Sequence, residues 1–438
     1  MISQANRCTL TLFLLILVTA STGQKTSSAI EQFQGLQGEL RKSQAANDWH
    51  AYLVSATKLK EFLNGSPDSL LEVARADVHV DDVSAALREL DEFVRMGQSA
   101  DLSAKSVDFS ALPKNENFAK LRTGMEANRR PISLGSTAFQ LSDSGLLAED
   151  IDYDSRSKRF FVSSVREKKI VLIETSGANN DFARAPDDWP ILAVKVDPSR
   201  GVLWATEVAM QGFTFAPESD WGRSAVLCYD LKNGKLLRRV EGPRPSALGD
   251  MMLTRSGDVI VSDGDGGGVY QLLVNGTKLE RLDEGDFIFP QTPALHPDGK
   301  HIFVPDYVRG IGVLETTTKQ VRWVSMDGKF ALNGIDGLYF DRGKLIAIQN
   351  GTSPERVVVF TLDATLTKIE SETIMERSTE TLGDPTHGVV IENDFYYIAN
   401  SGWDAVDDRG NMKPGARLSV ARIMRARLQS LETAQVGN

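Results

Sequence analysis

The stretch Ala294-Leu-His-Pro-Asp-Gly-Lys-His-Ile-Phe-Val-Pro-Asp306 reads as an apolar strand, a polar turn and a second apolar strand. Pro, Asp and Gly supply turn geometry, and Ile-Phe-Val supplies the β-branched and aromatic residues that suit a pleated surface. The pattern recurs five more times. It begins with Asp150-Ile-Asp-Tyr-Asp-Ser-Arg-Ser-Lys-Arg-Phe-Phe-Val-Ser-Ser164, and it is equally plain in Leu338-Tyr-Phe-Asp-Arg-Gly-Lys-Leu-Ile-Ala-Ile-Gln-Asn350. First strands start near Ile151, Val194, Met251, Ala294, Leu338 and Val389, at gaps of 43, 57, 43, 44 and 51 residues. A third strand follows most pairs, the last of them expected at Leu418–Ile423, and a fourth is visible in several units. Four strands per roughly 40–50 residues is the period of a propeller blade. The expected fold is therefore mainly β, a six-bladed β-propeller over residues 135–428. Ala138–Leu141 would give the last blade its outer strand, closing the ring and removing exposed sheet edges. A β-sandwich would not explain a regular repeat.

Upstream the period changes to that of helices, over residues 27–128. Asn47-Asp48 offers an N-cap before Trp49, Tyr52, Leu53, Ala56, Leu59 and Phe62, which share one helical face. Asp81-Asp82 precedes a similar run, Val83 to Val94, and Asn117 to Leu121 begins another. Trp49 and Val83 stand 34 positions apart, the tetratricopeptide period. Stable arrays need about three or more such repeats, so a small helical cap on the larger domain is the favoured reading. A tetratricopeptide-like surface that binds a protein partner is the other. Residues 429–438 read as a tail.

Residues Met1–Gln24 carry one early positive charge, an apolar run Leu10–Val18 and small residues at Val18-Thr19-Ala20. That is the pattern of a secretory signal peptide over residues 1–20, with cleavage as far on as 23, against the alternative of an uncleaved anchor. The expected location is secreted or periplasmic, with no membrane span after cleavage. Removal would take Cys8 and leave Cys228, in an apolar strand, as the one thiol. Asn64, Asn275 and Asn350 each open a glycosylation sequon that is also a good turn. The 438 residues are 41% hydrophobic and 25% charged, with a net charge of −10. This describes a core-forming chain and argues against a nucleic-acid partner.

In a propeller the first strand of each blade lies innermost, so the residues before those strands converge on one mouth of the channel. Glu149, Asp250, Gln291 and Asp336 stand there in four different blades. Carboxylates brought together repel and lose hydration, and a hard divalent cation relieves both costs. Calcium suits such oxygen ligands in the absence of a His/Cys cluster. The competing reading is that these are ordinary turn and strand-cap residues. His387 holds the matching position in the sixth blade, where it could meet a substrate. Trp403, after Asn400-Ser-Gly, could wall the pocket or pack locally.

On Glu149, on Leu-Gly-Asp250, on Pro290 to Asp306 and on Asn333-Gly-Ile-Asp-Gly337, the strand region resembles the senescence marker protein/regucalcin and gluconolactonase family of six-bladed propellers. The resemblance implies metal ligation by Glu149, by Gln291 where the family has Asn, and by Asp336. It implies a substrate contact at position 249, where Gly249 replaces the family's Asn, and a general base in Asp250. The implied chemistry is metal-assisted hydrolysis of a small lactone or related ester. The departures at Gln291 and Gly249 point to the alternative, a non-catalytic propeller that binds a ligand or partner, while retention of Glu149, Asp250 and Asp336 points back to the hydrolase, which is the reading taken.

Other chemistries find little footing. There is no Gly-x-Ser-x-Gly elbow and no P-loop. Asp263-Gly-Asp-Gly-Gly-Gly268 lies between two strands, where a hairpin turn explains it better than a phosphate cradle. His296 and His301 flank one turn and are expected to face solvent.

Overall fold

The computed structural model describes residues 27–102, 108–110, 112, 115–174 and 178–428. The leader (1–20) and the tail (429–438) expected from the sequence lie outside the described residues.

Five helices come first: α1 (Ala29–Ala45), α2 (Trp49–Phe62), α3 (Pro67–His79), α4 (Val83–Arg95) and α5 (Glu116–Asn128). Their starts follow from local chemistry. Ser28 and Glu31 form a capping box before α1, and Asp48 and Asp82 accept backbone N–H bonds at the starts of α2 and α4. Trp49 and Val83, the pair 34 positions apart, thus each open a helix behind an Asp cap. Helix α1 was not foreseen as a separate element.

The remaining chain forms six sheets. Four are built in chain order from one continuous segment each, and a fifth, blade 5, takes four of its strands from one segment. Their first strands are Ala148–Asp154, Ile191–Asp197, Leu248–Leu253, Ala294–Leu295 and Ile335–Asp341. The sixth combines Gly388–Ile391, Asp394–Ile398 and Arg422–Arg427 with Gly135–Gln140, the early strand pairing antiparallel with the last. Ile132–Ser133 adds a fifth strand to blade 5. The third strand of blade 6 therefore starts four residues later than expected, because residues 403–421 run across the mouth as a long loop. First strands of most neighbouring blades touch one another, which places them around the axis. Apolar side chains fill the wedges between blades. Phe161 and Ile170 of blade 1, for example, pack against Ile191, Val194 and Leu203 of blade 2. Cys228 is buried in such a layer, and burial pushes its thiol up to about 11, an inert structural thiol.

The helices dock on the mouth face beside blades 4 and 5. Leu70, Phe93 and Met96 join the core of Ala331, Leu332 and Ile335. Arg309 is sandwiched between Phe62 of α2 and Trp323, 4.6 and 4.3 Å from their ring centres. Asn64 donates to the Arg309 carbonyl (3.1 Å), Ala29 N to Gly285 O (2.8 Å), and Ser99 N to Ser353 O (2.6 Å). Among the described residues no helix is long and apolar enough to cross a membrane.

Candidate functional site

The mouth residues owe their placement to a shared backbone irregularity. Ala148 pairs with Ser164 but Ile151 with Val162, so Glu149 and Asp150 face one residue across the ladder. Leu248 pairs with Asp263 and Asp250 with Ser262, which leaves Gly249 extra. Ile335 pairs with Gln349 and Gly337 with Ile348, which leaves Asp336 extra. A β-bulge bends a strand and re-aims the side chain it carries. Four first strands carry one at the mouth, the fourth in blade 2, where Ile191 pairs with Glu207 and Val194 with Ala205; the other three are where the carboxylates gather.

Two of those carboxylates and an imidazole come together. Glu149, Asp336 and His387 offer ligand atoms within 4.8 Å of one another. Trp403 Nε1 donates to Glu149 Oε2 at 2.5 Å, so the indole walls the site by holding its carboxylate. Asn350 Nδ2 donates to Asp336 Oδ2 at 2.7 Å, and Tyr307 donates to Asn350 Oδ1 at 3.0 Å. Each of the two carboxylates thus has one oxygen engaged and one uncommitted. Burial, reinforced by Asp336, pushes Glu149 up to about 8 against the pull of His387 and Trp403. Burial likewise pushes Asp336 up to about 7, with Asp250 adding to it and His387 opposing. The cluster is short of positive charge.

His387 supplies one charge and cannot supply a ligand nitrogen. Its Nδ1 lies 2.9 Å from the Glu149 backbone carbonyl and its Nε2 lies 2.5 Å from Asp250 Oδ1. A carbonyl and a carboxylate only accept, so both ring nitrogens donate. Burial acts to lower the His387 pKa, but Asp250 and Asp336 outweigh it and hold the ring well above the ordinary histidine range. The group is an imidazolium, with neither lone pair free. Thr292 also donates to Asp250 Oδ1 (3.1 Å), fixing that carboxylate from a second side.

The other expected residues are placed differently. Gln291 turns its Nε2 toward the Phe289 carbonyl at 3.4 Å, and its backbone N–H bonds Pro305. At Gly249 an added Cβ would meet nothing closer than 3.9 Å, so the missing side chain leaves open space beside Asp250.

Two contributors, Tyr307 and Asn350, escaped the sequence reading, whereas Thr292 stands in the stretch 290–292 that leads into a first strand and is expected at the mouth. Tyr307 and Asn350 follow the ends of second strands, which in an antiparallel blade reach the same mouth as the starts of first strands. That periodic position was the available signal. Asn350 also opens a sequon, but its half-buried amide is committed to Asp336, so a glycan there would dismantle the site. Asn275, by contrast, is exposed.

The mouth is flanked on two sides. Loops from blades 2 and 6 meet across it: Thr214 N donates to Arg409 O at 2.8 Å, and Phe213 packs edge-on against Trp403. Opposite them, Asn333 reaches Asp68 at the start of α3 (3.5 Å).

No protein-family model matches the chain, and no curated protein does. Several solved structures are similar to its propeller region. The gluconolactonase of Xanthomonas campestris is 15% identical, covering 68% of this chain and 89% of that one, with a TM-score of 0.44. The PQQ-bound aldose sugar dehydrogenase of Streptomyces coelicolor is 12% identical, covering 68% and 99%, with a TM-score of 0.45. A catalytically inactive virginiamycin B lyase of Staphylococcus aureus with quinupristin is 12% identical, covering 68% and 97%, with a TM-score of 0.44. None of them assigns an activity to this chain.

Proposed function

We propose that the propeller mouth is the active site of a hydrolase that opens a small lactone or related ester, with Asp250 as general base. One observation carries the reading. Asp250 is fixed through Oδ1 by His387 and Thr292 and keeps Oδ2 uncommitted, beside two carboxyl groups whose pKa values are raised. A carboxylate so oriented is ready to accept a proton from water.

Glu149 and Asp336 fit a hard divalent cation, because each brings an uncommitted oxygen and both gain from an added positive charge. Calcium is the ion proposed, and when bound it would supply polarisation of the substrate carbonyl. His387 takes no part as a ligand. It offsets carboxylate charge and holds Asp250 in one orientation. Asp250 Oδ2 accepts the proton of the attacking water and returns it to the departing alkoxide oxygen, so water adds across the ester and a hydroxy acid results. Trp403 orients Glu149, and Asn350 orients Asp336. The space beside Gly249 would admit substrate. The proposed setting is outside the cytoplasm, on the strength of residues 1–20 alone.

A second reading, binding without turnover, draws on Gly249 and on the Gln291 amide turned toward Phe289. A lactone and ester panel, with calcium added or chelated, separates the two. Turnover that falls at least about a hundredfold in Asp250→Asn supports the hydrolase, since general bases contribute factors of about 10²–10⁴. Saturable binding of panel members with no turnover would establish the second reading. Turnover unchanged in Asp250→Asn would remove Asp250 as base.

A further inference from the structure

The face opposite the mouth carries a second group of metal-capable side chains. There the turn between the first two strands of blade 4 runs His296-Pro-Asp-Gly-Lys-His301. Asp298 spends one oxygen on the turn: Oδ1 accepts from Lys300 N at 2.8 Å and from His301 N at 3.1 Å. Its other oxygen, Oδ2, lies 2.9 Å from His296 Nδ1 and 2.7 Å from His301 Nδ1. The two rings meet at 74° with centroids 6.3 Å apart, so they flank one carboxylate oxygen rather than stack. All three donor groups lie within 4.8 Å of one another. His296 is braced edge-on against Phe303 and Phe340, which fixes its ring plane. The three side chains keep 25, 33 and 26% exposure, enough for a hydrated ion to reach them.

We propose that His296, Asp298 and His301 form a binding site for a divalent transition-metal ion of the zinc class, separate from the carboxylate cluster at the mouth. Two imidazole nitrogens and one carboxylate oxygen are a zinc donor set, whereas calcium calls for six to eight oxygens. Zinc bonds of about 2.0–2.2 Å in tetrahedral geometry separate neighbouring ligand atoms by roughly 3.4 Å. The present 2.7 and 2.9 Å contacts need open only by about 0.7 and about 0.5 Å to admit the ion. Each imidazole would give its Nδ1 lone pair and keep its proton on Nε2, and any proton on Nδ1 would leave to solvent. Asp298 would give Oδ2 while Oδ1 goes on holding the turn. The fourth position would be filled by water. The turn does not depend on the ion, since His296 N bonds His301 O at 2.9 Å and Gly299 N bonds His296 O at 3.0 Å. The ligands are therefore arranged before the metal arrives. His296 also lines a cavity of about 950 Å³ formed with turns of blades 3 and 5, so the ion would sit at its rim.

The test is isothermal titration of the full chain with zinc chloride, in a Glu149→Gln/Asp336→Asn background that silences the mouth. The expected result is one zinc per chain, at least about tenfold weaker in His296→Ala and in His301→Ala. Asp298→Asn keeps an oxygen for the turn and removes the charge, so it should weaken zinc similarly while the metal-free circular dichroism spectrum stays that of the parent. Should the mouth variant not fold, His296→Ala in the otherwise native chain should lose one zinc equivalent while calcium binding is retained. Zinc affinity within about twofold of the parent in both His variants, or no zinc binding at all, would overturn the proposal.

Discussion

Trp403 and Glu149 stand 254 residues apart, and the indole Nε1 of the first donates to the carboxylate Oε2 of the second at 2.5 Å. The bond joins the long loop of blade 6 to the bulge of blade 1. Trp403→Phe keeps an aromatic wall and deletes the donor. A hydrogen bond to a charged group contributes about 1.5–3 kcal/mol, so the Glu149 pKa should climb a further one to two units or so. Calcium affinity at pH 7 should fall about tenfold or more, and the loss should shrink as pH rises. A loss independent of pH would mean that Trp403 acts only by packing.

Calcium binding should release protons. Glu149 and Asp336 are pushed up to about 8 and about 7, so at pH 6.5 both carry a large protonated fraction that the cation must displace. Affinity should rise with pH and level off above about 8. Titrations in buffers of different ionisation enthalpy count the protons. Glu149→Gln and Asp336→Asn should each weaken calcium more than Gln291→Ala does. Equal affinity in all three would sink the ligand assignment.

Asp250 sets the charge state of His387. In the native chain the ring should remain doubly protonated through neutral pH, because Asp250 and Asp336 overcome the cost of burial. Asp250→Asn should move its titration downward, read from ¹⁵N shifts of the imidazole. A titration that stays in place would show that Asp250 is not the controlling charge.

Glu207 is buried against Arg239, with Nε to Oε1 at 2.9 Å, and burial pushes its carboxyl from 4.5 up to about 7. Between those values the folded state holds the proton more tightly than the unfolded chain. This residue's contribution to stability therefore falls as pH rises through the window, by roughly 3 kcal/mol at most. Glu207→Gln has no such slope. Thermal melts at pH 5 and pH 8 should show a smaller alkaline loss in the variant than in the parent.

Leu70 of α3 is fully buried between the helices and the propeller, beside Ala331 and Leu332. Leu70→Ala should cost about 2–5 kcal/mol through lost burial and a residual cavity. One shifted melting transition is expected. Separate helical and propeller transitions would show that the two regions are not energetically joined.

The ring was legible because each blade repeats one strand–turn–strand phrase, and periodicity survives without knowledge of contacts. Glu149, Asp250, Asp336 and His387 were legible as neighbours because one topological position recurs in their blades. The bulges that aim Glu149 and Asp336 were not, since they are backbone events with no fixed residue signature. Nor was the commitment of both His387 nitrogens, which depends on a carbonyl and a carboxylate from two other blades. Tyr307 and Asn350 lie on the second recurring mouth position, just past the end of the second strand, where the residue type differs from blade to blade (Val165 and Gly264 in blades 1 and 3) and no chemistry repeats. The docking of α1 to α4 on blades 4 and 5 rests on contacts such as Phe62 with Arg309, too distant in sequence for any local pattern to announce.

Closing blade 6 with Gly135–Gln140 has a consequence for the order of events at the ribosome. That strand emerges early, yet its partner, Arg422–Arg427, is among the last described residues to be made. During most of translation an extended edge stands without its neighbour, which is the kind of surface that invites aggregation. Blades 1 to 4 can each pair within a single continuous stretch of nascent chain, and blade 5 can too but for Ile132–Ser133, whereas the ring locks only after the final strand is released. The clasp that protects the finished propeller is thus also the last pairing the chain can complete, and a truncated product lacking residues 422–427 would be a ring that cannot shut.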